Sequence, residues 1–220
     1  MTAQSPLFRR LKVETKKVLA IVGVSGSGKT VLANSLISMY PDEFFLPQAF
    51  TTRAKRDDTD TYIFVNDSQF ENIKASLTGR TNFNGKKYGT LLNSSADKVN
   101  IMLLTPEAFQ DLKGCVNRSD IFVLILDRSD FNKINEMRPD RSVSFLEQER
   151  NNVLKISYEA DYLYRINDGF EDELVYPHPA DICEVVKKHF SEIDNRVDTE
   201  TEDEDDYLIP SDPTPDYLTV

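Results

Sequence analysis

Unbroken apolar runs, rather than alternating ones, punctuate this chain. Val18-Leu19-Ala20-Ile21-Val22, Val99 to Leu104 and Ile121 to Leu126 are almost free of polar residues, the pattern of strands covered on both faces. Between them the period lengthens to that of a helix. Leu32, Leu36, Met39 and Tyr40 share one side of Thr30 to Tyr40, and Glu107 to Lys113, Ser129 to Glu136, Ser142 to Ser157 and Pro179 to Phe190 also read as helical. Phe44 to Phe50 and Tyr162 to Ile166 add two strands. Strands alternating with helices predict an α/β fold, a parallel sheet with helices on both faces, whose ligands sit at the strands' C-terminal edge.

The alternation breaks once. A polar stretch from Thr51 to Thr61 leads into the short strand Tyr62-Ile63-Phe64-Val65. A helix carrying Phe70, Ile73 and Leu77 follows, with Asp67 or Ser68 as its cap, Ser68-x-x-Glu71 as a capping box and Gly79 as its stop. Thr81 to Tyr88 then predicts a hairpin turning at Asn84-Gly85. This is a small β-rich insert, residues 51–92.

The loop after the first strand carries the most specific chemistry. Gly23-Val24-Ser25-Gly26-Ser27-Gly28-Lys29-Thr30 spells G-x-x-x-x-G-K-T between a buried strand and a helix. There glycines let backbone N–H groups curl around an anion, and the helix N-terminus adds positive potential. Lys29 reaches the terminal phosphates and Thr30 offers a hydroxyl to Mg²⁺. The sheet is therefore expected to be of the P-loop NTPase type, with ATP held by Ser25, Gly26, Ser27, Gly28, Lys29 and Thr30.

Charge changes the picture only when it is located. The net charge of −11 falls almost wholly on residues 192–220, which hold eleven acidic residues against Arg196. That segment, with Pro210, Pro213 and Pro215, is expected to be an acidic disordered tail. Its repeat, Asp206-Tyr207-Leu208 and Asp216-Tyr217-Leu218, reads either as paired docking motifs for a protein partner or as chance similarity in a solubilising tail. Residues 1–17 form a basic extension without an apolar signal core, and no apolar run could span a bilayer. Cys115 and Cys183 are far apart and without a C-x-x-C pattern, which predicts reduced thiols in a cytoplasmic protein. No basic stripe with interleaved aromatics appears, so neither nucleic acid nor membrane is an expected partner.

Thr51-Thr52-Arg53-x-x-Arg56, Tyr62-x-Phe64-Val65, Asn84-Gly85-x-x-Tyr88-Gly89-Thr90 and Ile166-Asn167-Asp168 follow the loop in an order and spacing that resemble the guanylate kinase family. Five of the eight glycines lie in the loop or in these motifs, as expected if the backbone needs them there. The resemblance implies a domain over 18–191 that transfers phosphate from Mg²⁺-ATP to a nucleoside monophosphate. The insert would bind the acceptor, and a helical lid over 136–150 would close on it. It further implies that Arg53, Arg56, Tyr62 and Tyr88 hold the acceptor's phosphate and that Thr90 reaches its base or phosphate. Arg138 and Arg141 would close over the triphosphate, Arg150 would face the transferred group, and Asn167 would lie near the adenine.

The chain departs from the family at the positions that read guanine. Ala49 or Phe50 stands where a serine begins the Thr-Thr-Arg segment, Leu77 to Thr81 contains no glutamate, and the strand ending Met102-Leu103-Leu104-Thr105-Pro106 lacks the usual aspartates. Glu107 or Asp127 could stand in on the metal side, although Asp127 also reads as a helix cap. A buried acceptor missing opposite guanine N–H groups costs about 1 to 3 kcal/mol, enough to relax or redirect base choice. Three readings stay open: a kinase for GMP or dGMP, a kinase of the same fold with another phosphorylated acceptor, and a nucleotide-binding interaction module without turnover.

Overall fold

Nine strands and six α-helices make up the described part of the chain, alternating in the core and interrupted by runs of consecutive strands around the insert. The computed structural model describes residues 17–56, 61–92, 98–137, 142–166 and 177–202. In order these hold β1 (Val18–Gly23), α1 (Lys29–Met39), β2 (Phe44–Phe45), β3 (Gln48–Thr51), β4 (Ile63–Phe64), α2 (Asp67–Ile73), β5 (Thr78–Phe83) and β6 (Lys86–Leu91). There follow β7 (Val99–Leu104), α3 (Pro106–Lys113), β8 (Ile121–Arg128), α4 (Phe131–Met137), α5 (Val143–Lys155), β9 (Tyr162–Ile166) and α6 (Pro179–Glu202).

The apolar runs form one parallel sheet in the order β2-β7-β1-β8-β9. β1 lies at its centre, Val18 opposite both Asn100 and Ile121, so each of its residues is buried. Its side chains alternate between two cores. Val18, Ala20 and Val22 face Ala108, Phe109, Leu112, Leu146 and Val153 of α3 and α5. Leu19 and Ile21 face Leu32, Leu36, Ile182, Val186 and Phe190 of α1 and α6. At about 1.5 to 3 kcal/mol for each large apolar side chain removed from water, this double covering holds the sheet together.

The insert forms a second sheet, β4-β3-β6-β5, antiparallel except for β3 with β4, and it begins at Gln48 rather than at the expected residue 51 because β3 pairs with β6. Its hairpin turns where the sequence predicts: Asn84 and Gly85 have φ of 50° and 70°, the left-handed pair of a two-residue turn.

Several boundaries differ from expectation. Phe44 to Phe50 is two strands, because Pro47 lacks an N–H and the chain changes sheets there, leaving Phe44–Phe45 on β7 and Gln48–Thr51 on β6. The cap of α2 is Asn66, which forms the capping box with Gln69; Ser68 and Glu71 do not. Glu71 instead joins Asp67 in gripping Lys87, so Lys87 ties the hairpin to α2 rather than merely facing solvent. Gly79 stops no helix. It lies within β5 at φ 63°, where a Cβ would come within 2.7 Å of Met102 Cε on β7. Met39 turns outward, 50% exposed. Helix α6 runs to Glu202, so the first eleven residues of the expected tail are helical; 203–220, with both Asp-Tyr-Leu repeats, and residues 1–16 lie outside the described residues.

Candidate nucleotide site

The loop between β1 and α1 needs its glycines for space as well as for φ. A Cβ on Gly23 would lie 2.6 Å from Ser27 Oγ and 2.7 Å from the Leu126 carbonyl, so only glycine lets β1 pass so close to β8. Gly26 and Gly28 hold φ of 80° and 87°, conformations that disfavour any side chain. Gly28 caps α1 without a side-chain hydrogen bond, so the helix presents its first N–H groups to the loop's concave face. Ser27 Oγ is buried there and finds no hydrogen-bond partner among the described residues.

Charge surrounds this cradle. Lys29 Nζ donates to the carbonyls of Gly23 and Val24, at 2.7 and 2.8 Å, which folds the lysine along the loop. Arg128, at the end of β8 and only 1% exposed, donates from Nη1 to the Gly26 carbonyl at 3.0 Å and supports the loop from the sheet side. From α5, Glu149 Oε2 accepts the N–H of Ser25 at 3.1 Å. Thr30 is exposed at the first turn of α1.

The second sheet gathers another set. Thr52 pins the segment, donating its N–H to the Lys87 carbonyl and accepting the Lys87 N–H at its hydroxyl, while Thr51 Oγ1 accepts the N–H of Arg53. The Arg53 guanidinium lies 5.2 Å from the ring centre of Tyr62 and 5.6 Å from that of Phe64. Tyr62 meets Tyr88 edge to face at 5.9 Å. Arg53, Tyr62 and Tyr88 therefore form one cluster; Arg56 is exposed nearby in sequence, and Thr90 sits on β6 opposite Ala49. The insert is fastened to the core by Arg80, whose guanidinium and backbone N–H both reach Asp111 of α3. Burial raises the Asp111 carboxyl's pKa, but the Arg80 hydrogen bonds outweigh it and hold the group below its usual range.

A cavity of about 310 Å³ opens between the two regions. Its floor is Gly23 and Val24, one wall is the hairpin at Asn82, Phe83 and Asn84, and the others are Thr105 to Glu107 and the face of α5 bearing Phe145, Gln148, Glu149 and Asn152. Phe83 and Phe145 meet edge to face across it at 6.0 Å. The hairpin reaches this space with its tip; Arg53 and Arg56 are not in its lining.

Comparison with known proteins agrees with this architecture. A family model described as guanylate kinase matches residues 15–172. The chain belongs to the guanylate kinase family. The solved guanylate kinase from Anaplasma phagocytophilum superposes with a TM-score of 0.58 at 14% identity, covering 79% of this chain and 86% of that one, which is a likeness of fold. The human protein MAGUK p55 subfamily member 2 is 25% identical over 191 residues, 82% of this chain. This chain spans 31% of that relative's length.

Against the family pattern, the positions that depart in sequence have other uses here. Gly79 presses on β7, and Thr105 caps α3 by accepting the Ala108 N–H. Asp127 is no helix cap: it belongs to β8, and Arg150 donates to both its oxygens at 2.6 and 2.9 Å. Arg150 thus anchors α5 to the sheet, its pKa raised by that carboxylate. Arg138, Arg141 and Asn167 lie outside the described residues. Among the described residues, no three His, Cys, Asp or Glu side chains cluster as metal ligands, and no helix is long and apolar enough to cross a membrane.

Sequence reasoning missed Arg128, Glu149 and the Arg80–Asp111 pair. Arg128 left a trace, since a charged pair abutting a wholly apolar strand lies at the edge where ligands bind. Glu149 and Asp111 left none, because each sits in a helix whose charges read as a solvated face.

Proposed function

We propose that this chain transfers the terminal phosphoryl group of ATP to a nucleoside monophosphate, with GMP or dGMP as preferred acceptor. The observation that carries the reading is that the β1–α1 loop, with its two left-handed glycines, borders through Gly23 and Val24 a cavity whose far wall is the hairpin of the second sheet. Donor and acceptor sites on two separately fastened elements suit a reaction that needs alignment and charge neutralisation more than covalent help.

Ser25 to Thr30 hold the triphosphate, with Lys29 swinging from the Gly23 and Val24 carbonyls onto it. The chemistry of the loop fits Mg²⁺-ATP: an uncapped helix start, two left-handed glycines and an exposed Thr30 hydroxyl beside the lysine. Mg²⁺ bound through Thr30 would neutralise charge on the moving phosphoryl. Arg53, braced on Tyr62 and Phe64, presents a fixed guanidinium to the acceptor's phosphate, with Arg56, Tyr62, Tyr88 and Thr90 completing that site. Arg138 and Arg141 supply the remaining cations, Arg150 would have to leave Asp127 to face the transferred group, and Asn167 is assigned to the adenine. The acidic segment is assigned to a protein partner, and the site of action to the cytoplasm.

A second reading, a nucleotide-binding interaction module without turnover, is favoured by two contacts. The Asp127 carboxylate is taken by Arg150 and the Ser25 amide by Glu149, so two groups that could serve the phosphates already have partners. A third reading keeps the transfer but changes the acceptor, which the missing guanine readers allow. A coupled ADP-release assay with ATP and a panel of monophosphates, beside Lys29→Ala, separates them. Turnover with GMP and dGMP alone is expected. Turnover with another phosphorylated acceptor replaces the acceptor, and ATP binding without any turnover replaces the reaction.

A further inference from the structure

The amide of Ser25 belongs to the cradle that phosphate oxygens would use, yet its partner is a carboxylate delivered from a different element. Glu149 lies at the middle of α5, half-buried, with Oε2 3.1 Å from that nitrogen. A carboxylate oxygen accepting a loop N–H is, to that N–H, what a phosphate oxygen would be: an anionic acceptor at hydrogen-bond distance. One N–H at this distance serves one strong acceptor, so carboxylate and phosphate exclude each other there.

We infer that Glu149 is a built-in competitor for the loop, an internal anion that an entering polyphosphate must displace from Ser25 and that sets how tightly the chain holds nucleotide. This rests on the loop's phosphate-binding reading, and on no acceptor or transfer step.

The surroundings make the displacement local. Helix α5 is fixed independently by Leu146 and Val153, 0% and 1% exposed, by the Arg150–Asp127 pair and by its Ser142 cap. The helix can stay while one side chain rotates. The rotation has somewhere to go, because Gln148, Glu149 and Asn152 all line the 310 Å³ cavity, and a carboxylate released from Ser25 remains in contact with water. Displacement therefore costs one charge-assisted hydrogen bond and leaves a negative charge near the phosphates, both of which weaken nucleotide binding. Removing the charge should strengthen it. A glutamate that merely propped up the loop would give the opposite sign.

The test is equilibrium binding by calorimetry on the full chain, using Mg²⁺-ATP and, to exclude contacts with base and ribose, inorganic tripolyphosphate. Glu149→Gln keeps the side chain's shape and loses its charge; Glu147→Gln removes an exposed charge from the same helix and serves as control. Glu149→Gln should bind both probes about tenfold more tightly than the parent, with Glu147→Gln unchanged. Glu149→Ala, which also removes the hydrogen bond, should gain at least as much. Thermal melts without ligand confirm that the variants are folded. Affinity in Glu149→Gln equal to or weaker than the parent's overturns the inference, as does an equal gain in Glu147→Gln. A chain that binds ATP more tightly as Glu149→Gln but turns over no acceptor upholds it while removing the kinase reading.

Discussion

The two sides of the cavity are held in place by different physics. The glycine-rich loop is fixed by steric necessity: Gly23 lies where any Cβ would strike Ser27 and the Leu126 carbonyl, and the strand beneath it is buried throughout. The insert has a close contact with the core, Gly79 against Met102, and is otherwise fixed by side-chain chemistry at half-exposed positions. Arg80 grips Asp111, Lys87 grips Glu71 and Asp67, and Arg53 rests on two rings. A close-packed backbone allows one arrangement, whereas ion pairs and ring contacts can be exchanged at small cost. The motif that survives in full lies in the first region, and the guanine readers that are lost lie in or beside the second.

That contrast can be broken most severely at Lys29. Lys29→Ala should lower kcat/KM by at least about a thousandfold in the coupled assay, because the loop then loses the cation that follows the terminal phosphate. A loss under tenfold would remove the donor loop from catalysis. Gly23→Ala should destabilise the fold by about 3 kcal/mol in a denaturant titration, since one of the clashing partners is backbone. An unchanged midpoint there would show that the loop is no tighter than the insert.

On the acceptor side the effects should be smaller and separable. Arg53→Ala should raise the acceptor's KM about thirtyfold and lower kcat while leaving ATP affinity unchanged by calorimetry. A drop in ATP affinity would mean that the two regions are one site. Asp111→Asn should cost about 1 kcal/mol and change the acid limb of the stability curve. With its folded pKa held below the ordinary 3.8, Asp111 contributes stability above that value and loses it as the pH falls through the folded pKa, a slope that the asparagine variant should lack. Identical acid limbs would place the insert's fastening elsewhere.

The difference also explains what could be read from the sequence. Buried strands announce themselves by composition, so β1, β7 and β8 fall where their apolar runs lie, and the loop is legible because its glycines are sterically compelled. The insert's hairpin is legible at Asn84-Gly85 through the positive φ that its two-residue turn requires, with open space around Gly85. What was not legible depends on pairs distant in sequence: Arg80 with Asp111, Arg150 with Asp127, Glu149 with Ser25. Arg80, Asp111 and Glu149 alone look like solvated charges, Ser25, Asp127 and Arg150 read as site candidates, and only the fold supplies the pairing. The division of Phe44 to Phe50 was hidden similarly, since Pro47 marks a break without saying that the chain crosses to another sheet there.

That crossing takes only Leu46 and Pro47, between an edge strand of two residues and the first strand of the insert. With the φ of Pro47 fixed by its ring, so short a link has few torsions with which to take up a movement of the insert. Any swing of the insert would load the rungs Phe44–Val99 and Phe45–Asn100 at the margin of the core. Amide exchange at those few positions would then report a movement of the insert beside the cavity.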